Sequence, residues 1–175
     1  MRENTKSFVK NALLALLGYA ASVTVMAIVP PVLAHDLPTL QLTVVTLLLL
    51  CGAGLSFIGY TFVQPFKRIW QTVLSVTAVP ILILLAAIVL PSVLFQSQYL
   101  LLPITIPGNM IFALIPEETG FWQNDFTSFI CLCLMPLVLF LCTAVGAAVR
   151  ERQEKSARQS AERKATKYEE NPSNR

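Results

Sequence analysis

Charge is what this chain has least of. Only 13% of its 175 residues are Asp, Glu, Lys or Arg, while 55% are hydrophobic; a soluble globular protein carries roughly 25% charge. That shortage excludes an ordinary soluble domain. Histidine occurs once, at His35, and no His, Cys, Asp or Glu cluster has the spacing of a metal site. The four cysteines, Cys51, Cys131, Cys133 and Cys142, all lie in apolar stretches, so no disulfide framework of soluble loops is implied. No Walker-type glycine loop, hydrolase elbow or zinc-protease signature occurs. No catalytic, cofactor-binding or metal-ligating residue is therefore assigned, and no cofactor or nucleic-acid partner is expected.

What remains is four long uncharged stretches: 11–34, 37–66, 69–116 and 126–149. About 20 apolar residues in a helix cross the roughly 30 Å hydrocarbon core of a bilayer, and each stretch reaches that length. Arg2, Lys6 and Lys10 precede the first stretch. Lys67 and Arg68 separate the second from the third, and a charged tail begins Arg150, Glu151, Arg152 and contains Lys155. The gaps between hold His35, Asp36, Glu117, Glu118 and Asp125. Lys and Arg beside spans are retained in the cytoplasm. Lys6, Lys10, Lys67, Arg68, Arg150, Arg152 and Lys155 thus set the topology, with both termini inside. The expectation is an all-α membrane protein of four transmembrane helices, with spans near 11–33, 40–63, 70–94 and 127–149 and a cytoplasmic tail over 150–175.

The third stretch is long enough for two spans. A fifth crossing over 99–115 would put the basic tail outside, and Pro103, Pro107 and Gly108 disfavour an unbroken helix in lipid. Residues 96–126 are therefore expected to form an external loop that lies in the interface or re-enters the membrane. Tyr99, Phe121, Trp122 and Phe126 suit that position, and Trp70 the opposite interface. The first stretch admits a rival reading: a basic start, an apolar run and Val32-Leu33-Ala34 resemble a cleavable signal peptide. Against it, Ala12 to Val29 is longer than the roughly 7–15 residues of a signal core, and Pro30 and Pro31 adjoin the cut.

Helices in lipid pack where small residues let backbones approach. Ala15, Gly18 and Ser22 recur on one face of the first helix, Gly52, Ser56 and Gly59 on one face of the second, and Cys142 and Gly146 on the fourth. These are candidate packing faces, within the bundle or toward another subunit. Pro80 and Pro136 should kink the third and fourth helices. No ionisable side chain falls mid-span, whereas proton relays and ion paths use such groups. Thr39, Thr43, Thr46, Gln71 and Ser75 supply neutral polar stripes, which bond their own or a neighbouring helix before they line a solute path. His35 and Asp36, before Pro38, read as a polar turn.

Size, four spans and internal termini resemble the quinone-coupled disulfide oxidoreductases of bacterial membranes. That resemblance implies reactive external cysteines. Here the external loops hold none, and Cys131 and Cys133 are two positions apart, about 200° around a helix, so they cannot bridge while helical. Membrane proteases of this size pair aspartates near the membrane face; Asp36 and Asp125 lie outside here, in no matching motif.

The tail is rich in helix formers, with Glu151/Lys155 and Glu154/Arg158 at i,i+4, and should be helical before fraying at Asn171. The functional expectation is an accessory or interaction subunit of a larger inner-membrane assembly, of secretion, conjugation, transport or toxin-immunity type. Its partners would be the lipid bilayer and other integral membrane subunits or further copies of itself. The alternatives are a small oligomeric transporter or channel and a membrane thiol-disulfide oxidoreductase.

Overall fold

The computed structural model describes residues 2–66, 68–96, 98–112, 114–115 and 125–170, of which 2–4, 92, 95, 98, 111–112, 125–133 and 162–170 are described by backbone course alone. Among them every regular element is helical. Helix α1 spans Arg2–Leu33, α2 Leu37–Phe62, α3 Ile69–Val76, α4 Ala78–Phe95, α5 Leu102–Phe112 and α6 Asp125–Glu170, with a 3-10 turn at Gln98–Leu101 before α5. Four helical stretches are long and apolar enough to cross a membrane: Thr5–Leu33, Leu37–Phe62, Ile69–Pro91 and Leu134–Ala161. The last limit takes in the first charged turns after Val149.

Each boundary has a local cause. Helix α1 starts nine residues before the apolar run at Asn11, because the polar residues ahead of it continue the helix. Pro30 and Pro31 fall in its last turn, where Ala34 N–H still donates to Pro30 O at 2.9 Å. Asp36 caps α2: its backbone is extended and its carboxylate accepts from Thr39 N–H at 2.9 Å, with Pro38 at the start of the helix.

The third apolar stretch is broken between α3 and α4 at Thr77. The cause is Pro80, which has no N–H to donate and whose ring crowds the carbonyl four residues earlier, at Val76. The chain bridges the break because Thr77 N–H reaches Val73 O and Ile81 N–H reaches Thr77 O, both at 3.0 Å. The interruption therefore falls about one turn ahead of the proline, with the hydrogen-bond ladder carried across it. Pro136, by contrast, leaves α6 a single helix of 46 residues, about 69 Å long.

The core lies between α1, α2 and α6, with α3 and α5 packed against it. Its buried side chains include Ala15, Tyr19, Met26, Leu55, Leu139, Phe140 and Ala147. Helix α5 enters this core rather than lying apart from it. Tyr19 hydroxyl donates to Pro103 O, and the Tyr19 ring stacks on Phe140 with centroids 4.9 Å apart. Pro107 and Gly108 are buried, and Ile106 and Met110 pack on the core. Tyr19 is fourteen residues from each limit of the Thr5–Leu33 span, so the α5 N-terminus meets α1 at its midpoint. Exposed side chains elsewhere are overwhelmingly apolar, as Leu42, Leu49, Leu82, Val93 and Leu94 illustrate.

Candidate functional site

Two assemblies of side chains organise the molecule. The first is the crossing of α2 on α6, the most extensive helix contact in the fold. A Cβ placed on Gly59 would lie 2.0 Å from Thr143 O, and one on Gly146 would lie 1.8 Å from Ser56 O. Only hydrogen fits at either position, so the two backbones touch. Ser56 hydroxyl donates to Cys142 O at 3.0 Å, and a Cβ on Gly52 would sit 3.5 Å from Cys142 Sγ. The structure thus brings Gly52, Ser56, Gly59, Cys142 and Gly146 together. Helix α1 joins separately: a Cβ on Gly18 would lie 2.8 Å from a Leu55 methyl, Ala15 is fully buried, and Ser22 hydroxyl donates to Gly18 O of its own helix.

The second assembly is a polar junction at one end of the bundle. Asn11 is wholly buried. Its amide Nδ2 donates to Gln64 O at 2.9 Å and to Ser75 Oγ at 3.2 Å, and its Oδ1 accepts from Gln64 N–H at 3.0 Å. One side chain thereby serves both backbone groups of Gln64 and pins the α2–α3 connection to α1. Thr72 Oγ1 accepts from Phe66 N–H at 2.9 Å, and the Phe66 ring meets Phe8 at 5.9 Å. Arg150 closes the junction from α6. Its Nη1 lies 3.2–3.4 Å from the carbonyls of Tyr60, Thr61 and Val63, which α2 leaves without helical partners at its C-terminus, while its Nε bonds Glu154 at 2.8 Å. Beyond it, Tyr60 hydroxyl meets Gln153 Oε1 at 2.8 Å.

This junction gathers the α1 start, the α2 end, the α3 start and the α6 exit, and with them the basic residues. Lys6, Lys10, Arg68 and Arg152 are exposed there, and Lys155 pairs with Glu151. Lys67 lies outside the described residues. Glu154 pairs with Arg150, four residues before it, and not with Arg158 as the sequence spacing suggested. Arg150 is already fixed over α2, so it is the nearer cation.

At the opposite end Asp36 is exposed, and the Thr39 hydroxyl and backbone N–H hold its carboxyl below the ordinary carboxylate range. With His35 and Asn109 it borders a cleft of about 590 Å³ between the α1–α2 turn and α5, otherwise lined by apolar groups such as Met26, Leu40 and Met110. Glu117, Glu118, Phe121 and Trp122 lie outside the described residues. So do the side chains of Asp125, Phe126, Cys131 and Cys133. Cys51 and Cys142 are free thiols. Of the threonine stripe, Thr46 bonds its own helix at Leu42 O, 2.8 Å away. No group of three His, Cys, Asp or Glu side chains is placed to hold a metal ion among the described residues.

Sequence reasoning passed over three residues that matter here. Asn11 looked like the edge of a span, and Arg150 like a topology signal alone. Tyr19 did carry a signal: a hydroxyl in the middle of an apolar run needs a partner, and the Pro103 carbonyl is spare because Pro107, four residues on in α5, has no N–H to give it.

These features define a class: an all-helical, multi-pass membrane protein. No family model matches the chain, and neither curated proteins nor solved structures provide a match.

Proposed function

We propose that this chain is a non-enzymatic accessory subunit of a larger inner-membrane assembly, with both termini in the cytoplasm and α5 re-entering the membrane from outside. The observation that carries this reading is the continuity of α6. One helix of 46 residues runs from the packed core into the charged tail, and Arg150 fastens it to the end of α2 where it leaves the bundle. A tail held this way has a fixed direction, and a partner gripping it grips the bundle. The tail alternates acid and base, with Glu151 and Lys155 paired and Glu154 paired to Arg150, which suits a protein surface better than an anionic membrane.

The test is copurification in mild detergent of the full chain and of a chain ending at Ser160. The full chain should retain a stoichiometric membrane partner and the shortened one should lose most of it. Recovery of the full chain as a lone monomer would count against the reading. Solute or ion flux in liposomes containing only this chain would replace it with a transporter. Loss of the phenotype when all four cysteines become alanine would replace it with a thiol-disulfide enzyme.

A further inference from the structure

The outward face of α1 near its start combines two lysines with a bulky apolar stripe. Lys6 and Lys10 stand one turn apart, and Val9, Leu13 and Leu17 continue the same side of the helix. Together they line a shallow groove of about 480 Å³. The stripe is open: Val9 is 52% exposed, Leu13 53% and Leu17 67%. Lys6 and Lys10 are exposed as well, and neither forms an ion pair among the described residues.

We propose that this face is a binding site for an anionic phospholipid, with the phosphate between Lys6 and Lys10 and an acyl chain along Val9, Leu13 and Leu17. Dimensions, charge and residue size support it independently. From Lys6 to Leu17 the helix rises about 16 Å, close to the depth of one leaflet of a roughly 30 Å core. Lysine stems lie along apolar surface while the ammonium stays at the headgroup level, so the two charges sit where a phosphate is. At the same end of the molecule Arg150 and Lys155 are already engaged by Glu154 and Glu151, and of the exposed cations there, Lys6, Lys10, Arg68 and Arg152, only the two lysines border the apolar stripe. A second transmembrane helix is the poorer occupant. Close helix packing needs small residues, and those of α1 at the level of the groove, Ala12, Ala15 and Gly18, are buried in the bundle, while exposed Ala20, Ala21 and Ala27 lie beyond it. The outward stripe is valine and leucine.

The site stands on α1 alone, so it does not depend on the accessory-subunit reading. It is tested with the full-length protein in nanodiscs of phosphatidylcholine doped with phosphatidylglycerol, by counting lipids retained in native mass spectrometry. Near an anionic surface each basic residue contributes about a fivefold preference, so K6Q and K10Q should each lower phosphatidylglycerol retention about fivefold and the double variant about thirtyfold. K6R/K10R should retain it, and Arg152→Gln, which removes an exposed charge at the same end, should leave it unchanged. Both lysines are exposed, so these variants keep their fold. Equal retention of the two lipids, equal loss with R152Q, or occupation of the stripe by a copurifying protein that excludes lipid would each overturn the proposal.

Discussion

Asn11 shows how much one side chain can hold. It satisfies both backbone groups of Gln64, which are part-buried, and reaches Ser75, while Asn11 itself is wholly buried. A buried polar group left unpaired costs about 1–3 kcal/mol, and Asn11→Ala strands Gln64 N–H and C=O together. The expected outcome is a loss of that size in unfolding free energy in detergent, with faster amide exchange across 63–66. An unchanged exchange rate at Gln64 would show that the junction does not depend on Asn11. At the other end, Asp36 caps α2, and Thr39 holds its carboxyl below the ordinary value. Folded-state ionisation is thus easier than unfolded-state ionisation. The capping contribution is present at pH above about 4, the ordinary aspartate value, and is lost as pH falls through the lower folded-state value. Asp36→Asn should remove this acid-side dependence from thermal melts of the α1–α2 hairpin. A melt profile that still shows the same dependence would assign it elsewhere.

Among the helices, glycine position decides the outcome. Gly59 and Gly146 face backbone carbonyls at distances no Cβ tolerates, whereas Gly54, on the same helix as Gly59, has nothing within 4 Å of a Cβ. Gly146→Ala must push α2 and α6 apart, at a cost of about 3 kcal/mol or more, since backbone cannot repack as a side chain does. Gly54→Ala should be neutral or stabilise by about 0.5–1 kcal/mol through helix propensity alone. Detergent unfolding midpoints of the two variants should therefore move in different directions or by very different amounts. Arg150 belongs to the same scale because it joins two helices. Arg150→Lys keeps the charge but cannot both reach the α2 carbonyls and hold Glu154 from a planar fork. It should leave orientation intact while amide exchange across 61–66 accelerates several-fold, reflecting a loss of about 1 kcal/mol; unchanged exchange would reduce Arg150 to a topology signal. The small-residue spacing of both helices was legible in the sequence because the four- and three-residue periods of a helix are fixed. Which small residue meets which carbonyl was not, since that depends on where the two axes cross. The break at Thr77 was legible only as a kink near Pro80, because the proline acts on the carbonyl one turn before it.

At the scale of the whole molecule, the four apolar stretches and the continuation of α6 into the tail follow from hydrophobic length and helix propensity, and both are visible in the chain alone. The placement of α5 is not. Its sequence reads as an interrupted apolar loop, and nothing local states that Pro103 O would find Tyr19 in the middle of α1. That contact bears on the topology proposed above. Helix α5 has 11 residues, a rise of about 16 Å, roughly half the 30 Å a span requires. From the middle of α1 that rise could reach either face, but Ile106, Asn109 and Met110 border the cleft at the α1–α2 turn, so α5 runs back toward that end of the bundle. That course supports the topology we propose, with four crossings and both termini, together with the Asn11–Arg150 junction, in the cytoplasm. The check is a set of single cysteines in a background lacking the native four. Ser7 and Ser160, each changed to Cys, should react with a membrane-impermeant maleimide only after the cells are opened, and His35→Cys should react in intact cells. Labelling of Ser160→Cys in intact cells, with Ser7→Cys protected, would mean five crossings and would require α5 to leave Tyr19.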